Sequence, residues 1–308
     1  MATRVTVTVP EPLAGEEAEA RLTAAIDAAF AVCHEVDRTC TRFDAESPLM
    51  RANRDPRRWH VVPATLLAAL REAKSAHDAT AGRFDPRVLR SLVELGYDRT
   101  LAFSSHQVRT DARWPARRSA PPAPWRPRFR AAERAVRLGA DPVDLGGIGK
   151  GLAVRWASAA LAGAAPSHLV EAGGDFYCAG SGPDGEPWRL GVEDPGSAGA
   201  HVAILAVRDR GVATSSIRLR RWSASGRPAH HLIDPSTGLP GGEGLTSVTV
   251  VGRDPARAEV WSKALFVAGR AHLAAIAARR SIPALWVRDD GSVAMSDAMR
   301  PYLAWEKS

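Results

Sequence analysis

The hydrophobic period of this chain switches repeatedly between two residues and three to four. That switching restricts the fold more than any other feature of the sequence. Val5 to Val9 alternate apolar and polar side chains as a half-buried strand does, and Pro10 and Pro12 close the run. From Glu16 to about Val36 the apolar positions Leu22, Ile26, Ala29, Phe30 and Cys33 recur at three- and four-residue steps, which places them on one helical face. A second helix is predicted to open after Pro63, run through Leu66, Leu70, Ala73 and Ala76, and stop before Gly82. Helices are likewise expected over 151–161 and 257–268, strands over 168–171, 202–207 and 247–251, and a hairpin over 284–295 about Asp289-Asp290-Gly291. Strands and helices are thus mixed throughout. No repeat, strong linker or shift of composition divides the chain, so one elaborated domain is expected over residues 1–308. Within it, the Pro-, Arg- and Trp-rich text at about 104–130 has neither period and reads as a surface excursion.

Composition excludes several classes of protein. With 45% hydrophobic and 24% charged residues, the chain can bury a large core, and intrinsic disorder and collagen-like repeats both fail as global readings. Cys33, Cys40 and Cys178 are odd in number and lack metal-like spacing, which argues for a reducing compartment and against a disulfide framework or zinc site. The net charge of +7 comes from 41 basic against 34 acidic residues, and the basic side chains are nearly all Arg. They are scattered and not interleaved with aromatics, so no nucleic-acid partner is expected. No run of eighteen apolar residues occurs, and the opening MATRVTVTVPEP lacks the apolar core of an export signal. The expectation is a cytoplasmic protein with no membrane insertion.

Glycine clusters mark where chemistry could sit, because backbone there can turn sharply or approach a ligand closely. The tract Asp144-Leu-Gly-Gly-Ile-Gly-Lys-Gly151 runs directly into a predicted helix. Free N–H groups at that helix start, together with Lys150, could hold phosphate oxygens, although a tight turn with close helix packing accounts for the same text. The spacing is not that of a Walker A loop. Glu171-Ala-Gly-Gly-Asp175 reads as a strand turning at a glycine pair, and Ala213-Thr-Ser-Ser216 as a hydroxyl cluster or an ordinary polar turn. In His230-His-Leu-Ile-Asp-Pro-Ser-Thr-Gly238 a histidine pair precedes a carboxylate, which is either structural or a general-base arrangement.

Taken together and in this order, these segments resemble the FAD:protein FMN transferase family, also called the ApbE family. The resemblance covers most of the chain. It includes Met1-Ala-Thr3, Thr41-Arg-Phe43 with Ser47 and Asn53, Gly82-Arg-Phe-Asp-Pro86 with Leu95-Gly-Tyr-Asp98, and the tract at Asp144. It continues through Gly173-Gly-Asp175, Trp188 with Gly191-Val-Glu-Asp-Pro195, Ala213-Thr-Ser215, His231-Leu-Ile-Asp-Pro235 with Thr237-Gly238, and Ala264-Leu-Phe266.

The resemblance implies an α+β fold of mixed sheets flanked by helices, with a T-fold-related core. It implies an enzyme that cleaves the FAD pyrophosphate, transfers FMN to a Thr or Ser hydroxyl of an acceptor flavoprotein, and releases AMP. Such a reaction needs a base, charge neutralisation and fixed geometry. By resemblance, Met1, Phe43, Arg83, Phe84, Asp85, Asp144, Lys150 and Leu232 fall where family members hold FAD, and Thr214 and Ser215 lie in a segment that approaches the flavin nucleotide. His231 is the candidate base, and Asp234 the residue that orients or assists it.

The family's magnesium ion is held by a backbone oxygen matching Gly147, by an Asp, and by a Thr four residues later. In this chain those side-chain positions are Glu259 and Lys263. Both still share a helical face, but a protonated Lys cannot ligate a metal. Either Glu259 binds magnesium with more water in its shell, or Lys263 supplies the positive charge facing the pyrophosphate; a solvated ion pair between the two is the bland alternative. Two further readings of the same motifs are an FAD pyrophosphatase yielding FMN and AMP, and a non-catalytic FAD-binding protein.

Overall fold

The protein is described by a computed structural model covering residues 3–10, 15–103 and 108–307, so Met1 lies outside the described residues. The first half of the chain is mainly helical. It runs β1 (Val5–Thr8), α1 (Glu16–Cys40), α2 (Pro48–Arg54), β2 (His60–Val61), α3 (Ala64–Ala79), α4 (Leu89–Glu94), β3 (Arg109–Thr110), β4 (Arg128–Arg130), β5 (Ala135–Arg137) and α5 (Gly149–Leu161). The second half begins with β6 (His168–Ala172), β7 (Asp175–Ala179), β8 (Trp188–Glu193), β9 (His201–Val207), β10 (Arg210–Ser216), β11 (Arg221–Ala224) and β12 (Arg227–His230). It ends with β13 (Ile233–Asp234), β14 (Leu239–Pro240), β15 (Leu245–Gly252), α6 (Pro255–Ala268), α7 (Leu273–Arg279), β16 (Ala284–Arg288), β17 (Val293–Met295) and β18 (Leu303–Glu306).

A seven-stranded sheet in the order β1-β6-β7-β10-β15-β16-β17 forms the centre. Every neighbouring pair in it is antiparallel, so each strand can present one face to each of two layers. Successive residues of β10 show this: Ala213 packs with α6 and α7, while Val212 packs with residues of β8 and β9 on the other side. Helices α5 and α6 cover one face, with α1 and α3 stacked beyond α5. The three-stranded sheet β18-β9-β8 covers the other face. This is the mixed α+β arrangement expected from the sequence.

The long helices form where the apolar period predicts. On α1, Ala29, Cys33, Val36 and Cys40 are buried at four-, three- and four-residue steps. On α3, which begins directly after Pro63, Leu66, Leu70 and Ala73 form the inner stripe. Each buried leucine on such a stripe contributes about 1.5–3 kcal/mol of apolar burial. The Pro- and Arg-rich segment after β3 has no helix or strand over residues 111–127, but it is not simply a solvated excursion. Trp125 is buried and donates its indole N–H to the Leu138 carbonyl at 2.9 Å, and Arg118 donates to the Pro235 carbonyl at 2.7 Å. The Arg118 contact draws the segment over the 230–238 turn, and Trp125 anchors it beside Leu138. No described helix is long and apolar enough to cross a membrane.

Candidate active site

The glycine tract before α5 is shaped by what must pack beside it. A methyl group on Gly151 would lie 2.6 Å from Cα of Ala256, so glycine is what lets α5 and α6 come together. At Gly147 a methyl would lie 2.9 Å from Cε of Lys263 and 3.0 Å from the Phe84 ring. The approach to the tract is held by Asn53, whose amide donates to the Val143 carbonyl at 2.8 Å and accepts from the Val143 N–H at 2.9 Å. Asp144 follows directly. Its carboxylate accepts the Gly146 N–H at 2.8 Å and lies 3.7 Å from the Arg42 guanidinium.

Behind the tract lies a buried charge cluster. Glu259 on α6 accepts the Gly151 N–H at 2.8 Å, which places a carboxylate at the positive end of α5. The Lys150 ammonium donates to Asp175 and lies 3.8 Å from Glu259. Burial opposes charge on Lys150, but Asp175 and Glu259 outweigh it and raise its pKa. Burial, reinforced by repulsion from Asp175, raises the pKa of Glu259 against the pull of Lys150. Lys150, which the sequence suggested as a phosphate ligand, is therefore already occupied by two carboxylates.

In front of the tract a cavity of about 350 Å³ opens, within the range of small-molecule sites. Its lining includes Phe43, Arg83, Phe84, Asp85, Asp144, Gly147, Lys150, His231 and Lys263. The mouth is aromatic: the Phe43 ring lies 5.6 Å from that of Tyr97, and the Arg42 guanidinium sits over both at 4.2 and 4.3 Å. Asp85 belongs to the lining, yet its carboxylate is drawn to Arg87 at 2.6 Å. Burial would raise its pKa, but His77 and Arg87 hold it down at about 2.

His231 is a neutral imidazole. Burial, together with the positive charges of Arg220 and Lys263, holds its pKa well below the ordinary 6.5. Its Nδ1 lies 3.4 Å from the Arg220 carbonyl, which can only accept, so Nδ1 carries the proton and Nε2 keeps a lone pair. On Lys263, burial lowers the pKa; Glu259 and Asp175 offset part of that, while Lys150 and Arg220 add to it.

Other residues singled out in the sequence lie elsewhere. Thr214 bonds Thr249 across β10 and β15 at 2.9 Å, on the sheet face away from α6. Ser215 is buried beneath α6 and bonds Ser262 at 2.8 Å. Leu232 belongs to the core around Phe266. The Asp234 carboxylate accepts from the N–H and the hydroxyl of Ser236, both at 2.8 Å, and so closes its own turn. None of these four side chains is among the cavity lining. Arg220 does line the cavity, although no motif in the sequence distinguishes it from the other arginines.

A divalent cation does not suit the residues at Gly147, Glu259 and Lys263. Oε2 of Glu259 is engaged by the α5 backbone, its buried Oε1 has no hydrogen-bond partner among the described residues and faces the Lys150 ammonium at 3.8 Å, and an ammonium stands four residues later on the same helix. Among the described residues no group of three or more His, Cys, Asp and Glu side chains is arranged to hold a metal.

Comparison with known proteins gives a consistent result. A sequence model of the ApbE family matches residues 1–286. The FAD:protein FMN transferase of Escherichia coli (strain K12) is 28% identical over 171 residues, 54% of this chain and 49% of that protein. The FAD:protein FMN transferase of Vibrio cholerae is 32% identical over 167 residues, 53% of this chain and 50% of that protein. The chain thus spans about half the length of the curated relatives it matches. Among solved structures, the ApbE protein of Thermotoga maritima superposes with a TM-score of 0.78 at 23% identity, covering 99% of this chain and 96% of that one. The flavin transferase ApbE of Vibrio cholerae gives 0.75 at 22% identity, covering 98% and 96%. Likeness at that level of identity establishes a shared fold.

Proposed function

This chain belongs to the ApbE family, and we propose that it transfers FMN from FAD to a Thr or Ser hydroxyl of an acceptor flavoprotein, releasing AMP. The observation that carries this reading is the cavity, in which an aromatic mouth, cations without an ion pair among the described residues and a neutral imidazole converge on one space. A flavin dinucleotide has the matching parts: flat ring systems to stack and an anionic diphosphate to neutralise.

In the proposed reaction the acceptor oxygen attacks the FMN-side phosphorus, and its proton passes to Nε2 of His231. The phosphoester forms as the bond to the AMP oxygen breaks, and AMP leaves with that electron pair. A base already neutral at pH 7 needs no prior deprotonation, and positioned proton transfer is worth about 10²–10⁴-fold in rate. Phe43 and Arg83 at the mouth are assigned to FAD binding, and so is Phe84 beside Gly147. Asp144 is assigned to ordering the glycine tract through Gly146. Asp234 shapes the turn that carries His231.

The test is chromatography of FAD incubated with the protein, with and without a Thr- or Ser-containing flavoprotein acceptor. AMP accompanied by protein-bound flavin supports the proposal. Free FMN and AMP in equal amounts, with no bound flavin, would make the protein a pyrophosphatase, and unchanged FAD would reduce it to a binding protein.

A further inference from the structure

The charges lining the cavity do not pair off. Lys150 is held by Asp175 and Glu259, Arg42 faces Asp144, and Asp85 is held by Arg87. Lys263 and Arg220 also line the cavity, yet neither side chain has a hydrogen bond or ion pair among the described residues. The two cations reach the cavity from different elements. Lys263 rises from α6 against Gly147, and Arg220 precedes β11 with its carbonyl fixed to His231. Lys263 and Arg220 thus offer the two negative charges of a diphosphate diester two cationic side chains that make no ion pair of their own among the described residues.

We propose that the Lys263 ammonium and the Arg220 guanidinium together neutralise the FAD diphosphate directly, so that this chain holds its dinucleotide without a divalent cation. The inference rests on the reading of the cavity as an FAD site. Lys263 stands beside the Gly147 backbone and needs no metal to bridge that backbone to a phosphate. Arg220 adds planar donors suited to two phosphate oxygens. The contact between the Arg220 carbonyl and Nδ1 of His231 ties the residue that carries this cation to the base.

The experiment is titration of the full-length, EDTA-treated protein with FAD and with riboflavin, which has the ring system but no phosphate. Calorimetry is run with and without magnesium, and thermal melts confirm that every variant is folded. Wild type should bind FAD with the same Kd in EDTA and in magnesium. Lys263→Met and Arg220→Met should each raise the FAD Kd by about tenfold or more, equivalent to about 1.4 kcal/mol, while changing riboflavin binding by less than about twofold. Lys263→Arg should retain most of the FAD affinity. Loss of wild-type FAD binding in EDTA with recovery in magnesium would overturn the inference while leaving the FAD site in place, as would unchanged FAD affinity in both Met variants. Failure of wild type to bind FAD under either condition would instead remove the FAD reading, and this inference with it.

Discussion

Nδ1 of His231 lies 3.4 Å from the backbone carbonyl of Arg220, so the residue that fixes the imidazole tautomer also brings a cation to the same cavity. The imidazole is therefore aligned by that carbonyl, while burial, with the charges of Arg220 and Lys263, keeps it neutral. Replacing His231 by Ala is expected to lower FMN transfer by about 10²–10⁴-fold, the usual contribution of a positioned base. FAD affinity should stay within about twofold, because the imidazole carries no charge to contribute to diphosphate binding. Single-turnover rates and equilibrium titration of the same variant check both halves.

The pH dependence follows from the depressed pKa values. Burial holds His230 at about 4, and His168 and His231 also lie below the ordinary 6.5. As the pH falls below 6.5, the unfolded chain takes up protons that these folded imidazoles do not accept. The stability they contribute is complete above 6.5 and is lost progressively on acidification. Urea unfolding across a pH series should show this acid-side decline. In kinetics, kcat/KM should hold through pH 6.5 and fall only at lower pH. The acid limb of kcat should lie higher, because a bound diphosphate raises the pKa of His231 in the complex.

Asn53 has no place in the chemistry, but its amide satisfies both backbone groups of Val143 immediately before Asp144. Asn53→Ala leaves a buried donor and acceptor unpaired, at about 1–3 kcal/mol for each group left unsatisfied. It should lower the denaturation midpoint and raise KM for FAD more than it lowers kcat, because the glycine tract loses its anchor.

Two glycines near α5 should respond differently to the same substitution. Gly151→Ala drives a methyl group to 2.6 Å from Ala256 and should cost about 1–3 kcal/mol through overpacking. Gly163 has no atom within 4 Å of an added methyl, so Gly163→Ala should change stability by less than about 0.5 kcal/mol. Parallel thermal melts give the comparison.

Much of the helical layer could be read from local text, because one residue's environment on α1 or α3 repeats every turn. The faces through Ala29, Cys33 and Val36 and through Leu66 and Leu70 are consequences of that period. The charge cluster could not be read in the same way. Lys150, Asp175 and Glu259 meet only because β7 lies in the central sheet beneath α5 and α6, a matter of strand order that no local pattern encodes. Trp125 shows a related difficulty. Its neighbours are Pro and Arg, so composition suggests solvent, while its ring is buried and its N–H is bonded to Leu138. Arg220 is hidden for a third reason: among so many arginines, only the three-dimensional arrangement shows that this one lines the cavity with no carboxylate partner among the described residues.

The central claim is tested most directly by intact-mass spectrometry of the acceptor flavoprotein after incubation with this protein and FAD, with AMP quantified in the same reaction. The account predicts a mass increase equal to one FMN phosphoester, located on a Thr or Ser, with one AMP released for each FMN attached. An acceptor of unchanged mass, in a reaction where FAD is nonetheless consumed, would contradict it.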